Sequence, residues 1–292
     1  MRFLTRRRDI SYAACMRRDS AGRETLKLTH HPIPTPKPGP RPPPITYPRI
    51  PGIEAVGIVD GAPGLEHTFP RGSIVATAMG GMATVFDGGY AEYTCVPAGQ
   101  TQLLRLKTTL PWEILGAIPV MVPTAWGALI RSLGLRARDR LLIRGGRRLT
   151  TRKKEREAML LENGADRVWI DDGAVAAQIG DAGSGLVGAA TLADSLRCVK
   201  KGGVVSLVGR LSEKEDLEQV DLMELIPSGI KLTVYRGTSE DFMSTPLDAI
   251  LRLVEQGRLK FKIGRVLRME QIVEAHRCME ENEAEGKIVI LP

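Results

Sequence analysis

The chain has 292 residues, a formal net charge of +7 and a pI of about 9.4; 43% of its residues are hydrophobic but only 4% are aromatic. Such a length is typical of two domains or of one large domain. No apolar run reaches the roughly 18 residues of a membrane-spanning helix, and aromatic residues are too scarce for a platform of stacked bases. The composition therefore predicts neither a membrane partner nor a nucleic-acid partner.

Basic residues are concentrated in two clusters. The first lies within the N-terminal segment 1–25, which is Arg-rich and expected to lack regular structure. Its composition is similar to that of a mitochondrial transit peptide, but Asp9 and Asp19 argue against that interpretation, so we expect a cytoplasmic protein with mitochondria as the minor alternative. The second cluster suits a phosphate-bearing small molecule, and it consists of Arg147, Arg148, Arg152, Lys153, Lys154 and Arg156.

The four cysteines form no C-x-x-C pair, which argues against a disulfide framework or a zinc ribbon. Along the chain, a proline-rich stretch at 31–51 predicts extended structure. Short β-branched runs after it predict a β-rich domain that extends to about Pro111.

Beyond Pro111 the periodicity becomes helical, with a break between two helices expected at Pro123. Strand and helix patterns then alternate, which predicts a parallel sheet covered by helices. The predicted strands are 140–144, 167–170, 204–208, 231–235 and 287–291, and the predicted helices are 152–163, 191–200, 246–256 and 272–283.

Several segments, in this order, resemble the quinone oxidoreductase subfamily of the medium-chain dehydrogenase/reductases, within the zinc-containing alcohol dehydrogenase superfamily. They read PRIPGIEAVGIV, GSIVATAMGGM, FDGGYAEYTCVP, PTAWGAL, DRLLIRGG, NGADRVWIDDG, TLADSLRCVKKGGVVSLVG and EAHRCMEENEAEGKIVI. The resemblance implies an α/β chain with a GroES-like β-rich domain and a truncated Rossmann domain, which is a doubly wound parallel sheet. The expected divisions are the basic segment 1–25, a GroES-like catalytic domain 26–122, an incomplete nucleotide-binding domain 123–242, and a segment 243–292 that returns to the catalytic domain.

The resemblance also implies the chemistry, which is hydride transfer from NADPH to a quinone or an α,β-unsaturated carbonyl. Members of this branch commonly form dimers or tetramers through an edge strand that matches 231–235, so a homodimer is expected. Some members act in secondary metabolism. Zinc-dependent members carry a histidine where this chain has Ile53, and neither their catalytic cysteine nor their four-cysteine lobe has a counterpart. Because a catalytic zinc needs three protein ligands, we expect an enzyme without zinc.

The resemblance assigns cofactor-binding roles to seven residues. Thr124 matches a threonine near the nicotinamide, although a helix N-cap after Pro123 would explain it equally well. Gly145 and Gly146 begin the pyrophosphate turn, and Gly209 ends the strand beside the cofactor. Thr151, Arg152 and Lys153 resemble the element that meets the 2′-phosphate of NADP.

Catalytic residues are not identified from the sequence. Tyr90, Tyr93 and Tyr235 are candidate donors to a substrate oxygen, with packed strand residues as the alternative.

Three family segments are missing from the pattern: one after Gly146, one after Pro40, and a strand before Gly188 of which 185–188 would be a remnant. The stretch 141–170 has room for a single β-α-β unit of about 30 residues, so one loop would have to serve both the pyrophosphate and the ribose phosphate. Two alternatives to an active enzyme therefore stay open. One is a catalytically inactive family member that acts as a binding or partner protein, and the other is an incomplete gene model.

Overall fold

The computed structural model describes residues 2–4, 11–15, 26–32, 48–106, 108–144, 150–151, 154, 157–162, 164–179, 182–187, 191–208, 220–281 and 283–292. The chain divides into two compact units. The first comprises Met1–Pro123 and Thr238–Pro292, and the second comprises Thr124–Gly237. In the segments that the structure describes, no helix is long and apolar enough to cross a lipid bilayer.

The strands are, in chain order, β1 (Arg2–Leu4), β2 (Ser11–Cys15), β3 (Lys27–His31), β4 (Glu54–Gly61), β5 (Ile74–Ala78), β6 (Tyr93–Cys95), β7 (Thr101–Leu103), β8 (Leu141–Ile143), β9 (Thr150–Thr151), β10 (Trp169–Ile170), β11 (Ala182–Val187), β12 (Val199–Val208), β13 (Lys231–Tyr235), β14 (Ile263–Arg268) and β15 (Lys287–Leu291). The helices are α1 (Trp112–Gly116), α2 (Ile118–Trp126), α3 (Glu157–Glu162), α4 (Ala176–Ile179), α5 (Leu192–Arg197), α6 (Leu222–Leu225), α7 (Ser239–Ser244), α8 (Leu247–Glu255) and α9 (Ile272–Glu280). A π-helical segment, Gly127–Ser132, follows α2 directly.

The first unit is built on an antiparallel sheet of five strands in the order β6-β1-β4-β5-β7. Its strands carry small and β-branched side chains, which pack well on a pleated surface. A buried apolar cluster lies against them and includes Val59, Val75, Met82 and Val96. The short C-terminal strands β14 and β15 pair parallel to each other in the same unit.

Part of the basic segment 1–25 is ordered into strands, so the expectation that it lacks regular structure is wrong for those residues. Strand β1 pairs with both β4 and β6, and β2 pairs with β3. The physical reason is tertiary pairing: the backbone groups of β1 gain partners on two sides, and this outweighs a composition rich in arginine.

The second unit contains a parallel sheet of four strands in the order β13-β12-β11-β8. One side of the sheet packs on α5 through Leu192, Leu196, Val199 and Val205. Strands β9 and β10 form a separate two-stranded parallel sheet. The alternation predicted from the sequence therefore corresponds to a parallel α/β architecture.

The sequence pattern predicts that a family strand before Gly188 is missing. This prediction is wrong, because the structure has a strand there. Strand β11 spans Ala182–Val187 and pairs on both sides, with Leu186 opposite Ile143 of β8 and Ser206 of β12. Its sequence, AGSGLV, has low strand propensity because it is rich in glycine. Backbone pairing with two neighbouring strands compensates for the weak local preference.

The expected helix break at Pro123 is also wrong, because Pro123 lies inside α2. A proline removes one N–H from the helical ladder, but this one is buried and the chain continues into the wider π-helical turn. Between β8 and β10 the described residues contain a single α-helix, α3, in agreement with the expectation of one β-α-β unit.

Two glycines allow the segment 50–54 to lie directly against the segment 87–90. The N–H of Gly89 donates to the carbonyl of Gly52 at 2.9 Å, and that of Gly88 donates to Ile50 at 2.8 Å. A Cβ at Gly88 would overlap the carbonyl oxygens of Pro51 and Gly52. The close backbone approach therefore requires glycine at this position.

We predict that Gly88→Ala lowers the free energy of unfolding by at least about 2 kcal/mol, because the added methyl group meets backbone rather than a movable side chain. The matched control is Gly61→Ala, since a Cβ at Gly61 meets nothing within 4 Å. Urea unfolding followed by circular dichroism measures both. Equal midpoints for the two variants would contradict the close packing of these segments.

Candidate functional site

The first unit presents a candidate site where the segments 50–54 and 87–90 meet. Gly52 adopts a φ of +94°, and the N–H of Tyr90 donates to the carbonyl of Pro51 at 3.0 Å. This turn leaves Ile53, the residue at the family's zinc-ligand position, with 45% of its surface exposed. An exposed apolar side chain thus occupies the place of a potential metal ligand.

Glu54, the next residue, connects three elements of the first unit. Its carboxylate accepts a hydrogen bond from the N–H of Val120 at 2.8 Å, in the first turn of α2. It also forms an ion pair with the ammonium group of Lys287 on β15. A carboxylate at a helix N-terminus is favoured by the free N–H groups and by the helix dipole. Glu54 is therefore held by structural partners and does not act as an unpaired acid or base.

Tyr90 and His276 form a half-buried polar pair in the same unit. The Tyr90 hydroxyl lies 3.2 Å from His276 Nε2, and the rings meet edge to face with centroids 5.8 Å apart. Burial, and then the negative charge of Glu54, raise the pKa of Tyr90. Burial lowers the pKa of His276, which Glu280 only partly opposes. Both shifts favour the neutral forms, so this pair is a neutral hydrogen bond at physiological pH.

The described residues around Ile53 offer few donors for a catalytic zinc ion. Among the residues that the structure describes, no three His, Cys, Asp or Glu side chains are grouped to hold a metal. Ile53 has no donor atom, and Glu54 is already paired with Lys287. The arrangement offers no set of three ligands with an open position.

In the second unit, the two strands that precede the predicted cofactor loops end at one edge of the parallel sheet. Ile143, near the end of β8, is aligned with Leu186 of β11, which is aligned with Ser206 of β12. Strand β8 is followed by Arg144 and then Gly145, and β12 is followed by Gly209. Ligands of open α/β sheets bind outside the carboxyl ends of the strands. The carboxyl ends of β8 and β12 thus lie at the same edge of the sheet.

The other predicted cofactor residues are described only in part. Gly145, Gly146, Arg152, Lys153 and Gly209 lie outside the described residues. The backbone of Thr151 belongs to β9, opposite Ile170 of β10.

Thr124 is half-buried inside α2. Its alternative role as an N-cap is wrong, because the helix begins at Ile118. Its role near the nicotinamide stays a prediction.

The remaining candidate tyrosines are packed. Tyr93 is 7% exposed in β6, and Tyr235 is 9% exposed at the end of β13. The ring of Tyr235 lies so close to Gly127 that a Cβ there would overlap its hydroxyl. These contacts favour a packing role for both residues.

Sequence reasoning missed Arg144, which is 2% exposed at the end of β8. Its guanidinium donates twice to Asp171, from Nε at 3.0 Å and from Nη2 at 2.9 Å, and Nη1 donates to Asp194. Burial alone would lower the pKa of Arg144, but the hydrogen bonds that it donates to Asp171 and Asp194 outweigh this effect, and the pKa is raised. The available signal was an arginine between an apolar strand and a Gly-Gly turn.

Two sequence comparisons show which proteins the chain resembles. A family model described as zinc-binding dehydrogenase matches residues 163–290. The probable zinc-binding mitochondrial oxidoreductase of Arthroderma benhamiae is 25% identical over 82% of this chain and 79% of its own length.

Solved structures share the fold over nearly the whole chain. A thermostable alcohol dehydrogenase from Pyrobaculum aerophilum has a TM-score of 0.78 at 24% identity, covering 97% of this chain and 100% of that one. A mycobacterial protein complexed with NADPH has a TM-score of 0.76 at 18% identity, with coverage of 97% and 100%. The quinone oxidoreductase of Pseudomonas syringae has a TM-score of 0.74 at 17% identity, again with coverage of 97% and 100%. The chain thus resembles the zinc-binding dehydrogenases over residues 163–290, and it has the fold of alcohol dehydrogenases and quinone oxidoreductases of known structure.

Proposed function

We propose that this chain is a zinc-independent, NADPH-dependent oxidoreductase that transfers hydride to a quinone or to an α,β-unsaturated carbonyl. The observation that carries the proposal is made at the carboxyl edge of the parallel sheet. Strands β8 and β12 both end there, with β11 between them. Both strands lead into glycines that the family uses around its cofactor. The fold shared with a protein complexed with NADPH and with a quinone oxidoreductase adds support.

The cofactor would be held by residues from several strand ends. Gly145, Gly146 and Gly209 would approach the pyrophosphate, and Thr124 would lie near the nicotinamide. Thr151, Arg152 and Lys153 would surround the 2′-phosphate, because guanidinium and ammonium groups are suited to a phosphate dianion. NADPH would supply the hydride, whereas the protein supplies binding and orientation.

Zinc-independent chemistry fits the first unit. Ile53 is apolar and exposed, and the neighbouring Glu54 is committed to Lys287 and α2. Quinones and enones spread the developing negative charge over a conjugated system, so they depend less on a metal than a simple ketone does. The names of the curated relative and the family model include zinc binding, so metal content is a direct point of distinction.

A catalytically inactive binding protein is the second candidate. The observation that favours it is the short stretch between β8 and β10, whose described residues contain one helix and the two-residue strand β9. One loop would then have to serve two phosphate positions. Sequencing the transcript would separate this candidate from an incomplete gene model, which predicts additional codons after Gly146.

We further propose a cytoplasmic enzyme of secondary metabolism that forms a homodimer through β13. In the structure, β13 is an outer strand of the four-stranded sheet, and Val234 on it is 60% exposed. Sedimentation equilibrium measures the assembly, and a monomer at micromolar concentration would rule out the dimer. Localisation of the tagged chain tests the compartment, with a mitochondrial signal as the contrary result.

We predict saturable NADPH binding with a dissociation constant below about 1 mM, which corresponds to about −4 kcal/mol. Tryptophan fluorescence or calorimetry measures binding, and oxidation of NADPH by quinones and enones measures turnover. Binding with turnover supports the enzyme. Absence of binding at millimolar NADPH would exclude it.

The paired control for this titration uses the double variant Arg152→Ala/Lys153→Ala. Its affinity for NADPH should fall at least about tenfold because a charge-assisted phosphate contact is lost, while its affinity for NADH stays unchanged. An equal loss for both cofactors would show that these residues do not recognise the 2′-phosphate.

We also predict that the purified enzyme contains less than about 0.1 zinc per chain and keeps its activity in EDTA, since the described residues offer no set of three ligands. Elemental analysis by plasma mass spectrometry measures the metal. One zinc per chain, together with activity lost in chelator and restored by zinc, would contradict this assignment.

A further inference from the structure

We propose that Arg144 is a positioning residue for the nucleotide site, which it maintains by joining three elements of the second unit through their side chains. This inference rests on the proposed function, because it concerns the binding of NADPH at the carboxyl edge of the sheet. Arg144 directly precedes Gly145 and Gly146, with which the predicted pyrophosphate turn begins. Side-chain contacts that hold Arg144 therefore fix the start of that turn.

The cluster consists of Arg144, Asp171, Asp194 and Ser195. Arg144 and Asp171 form a bidentate pair, with Nε and Nη2 at 3.0 and 2.9 Å from the two carboxylate oxygens. Nη1 donates to Asp194 and lies 3.4 Å from the hydroxyl of Ser195. A fork-to-fork pair fixes orientation as well as distance, which a single ion pair does not.

The cluster connects two sheets by side-chain contacts, where strands of one continuous sheet would be joined by backbone hydrogen bonds. In the described part of the second unit, β9 and β10 form their own sheet, while β8 belongs to the four-stranded sheet. Asp171 directly follows β10, and Asp194 lies on α5. Arg144 thus links the end of β8 to the end of β10, and through it to the strand that carries Thr151.

Both carboxylates are fixed from a second side by backbone donors. Asp171 accepts from the N–H of Gly173 at 3.1 Å, and Asp194 accepts from the N–H of Ala176 at 3.3 Å. The two carboxylates that hold the guanidinium of Arg144 are therefore themselves held in position, and its donors are directed to them. Arg144 acts on the cofactor through the elements it holds, and it is not a phosphate ligand.

The test compares NADPH binding and steady-state kinetics of the wild type with those of Arg144→Lys and Asp194→Asn. Lysine keeps the positive charge but loses the planar guanidinium with its parallel donors. Asparagine removes the negative charge of one partner, while the bidentate pair of Arg144 with Asp171 is kept. The matched control is Arg277→Lys. Arg277 is also bound by several carboxylates, those of Glu274, Glu281 and Glu283, but it lies on α9 of the first unit.

We expect Arg144→Lys to raise the NADPH dissociation constant and KM about tenfold or more, with kcat at saturating NADPH and the KM for the quinone changed less than about threefold. Asp194→Asn should have a smaller effect in the same direction, and Arg277→Lys should leave both constants unchanged. Circular dichroism at the assay temperature shows whether each variant is folded. If Arg144→Lys does not fold, Asp194→Asn carries the comparison.

Two contrary results are distinguishable. If the wild type binds NADPH and the folded Arg144 and Asp194 variants bind it equally well, the positioning role is overturned while the proposed function stands. If the wild type itself binds no NADPH, the proposed function fails, and the positioning role fails with it.

Discussion

The second unit depends on one buried guanidinium. A charge removed from water costs several kcal/mol unless it is paired and hydrogen-bonded, and Arg144 meets this requirement with two carboxylates. Arg144 after β8, Asp171 after β10 and Asp194 on α5 each contribute one charged group to the cluster. If one of these elements moved away, a charged group would stay buried without its partner. This constraint gives a small parallel sheet a defined carboxyl edge, although the sequence pattern lacks the family segment expected after Gly146.

The first unit uses a similar device, because Glu54 joins α2 and β15 through one carboxylate. In both units a charged group thus holds separate elements together through its hydrogen bonds and ion pairs. Tyr90 and His276 are both kept neutral by burial. This distribution supports a reaction in which the cofactor carries the reacting atom and the protein binds and orients.

Much of this fold follows from local sequence patterns. Strands β13 and β15 agree with their predicted bounds, because both are apolar runs that follow glycine or charged turns. Strand β11 was misjudged, since its glycines give no strand signal and only pairing on two sides stabilises it. Pro123 was misjudged because burial of α2 outweighs one lost hydrogen bond. The pairing of Arg144 with Asp171 and Asp194 could not be predicted, because both partners are distant from it in the chain.

The central claim is that the carboxyl edge of this sheet still binds NADPH. Hydrogen–deuterium exchange of the full chain, with and without millimolar NADPH, tests it most directly, because bound ligand slows the opening of the elements it contacts. The account predicts slower exchange in peptides that cover the end of β8 with β9 and the end of β12, and unchanged exchange in β14 and β15. Exchange that is identical throughout the chain, with and without NADPH, would contradict it.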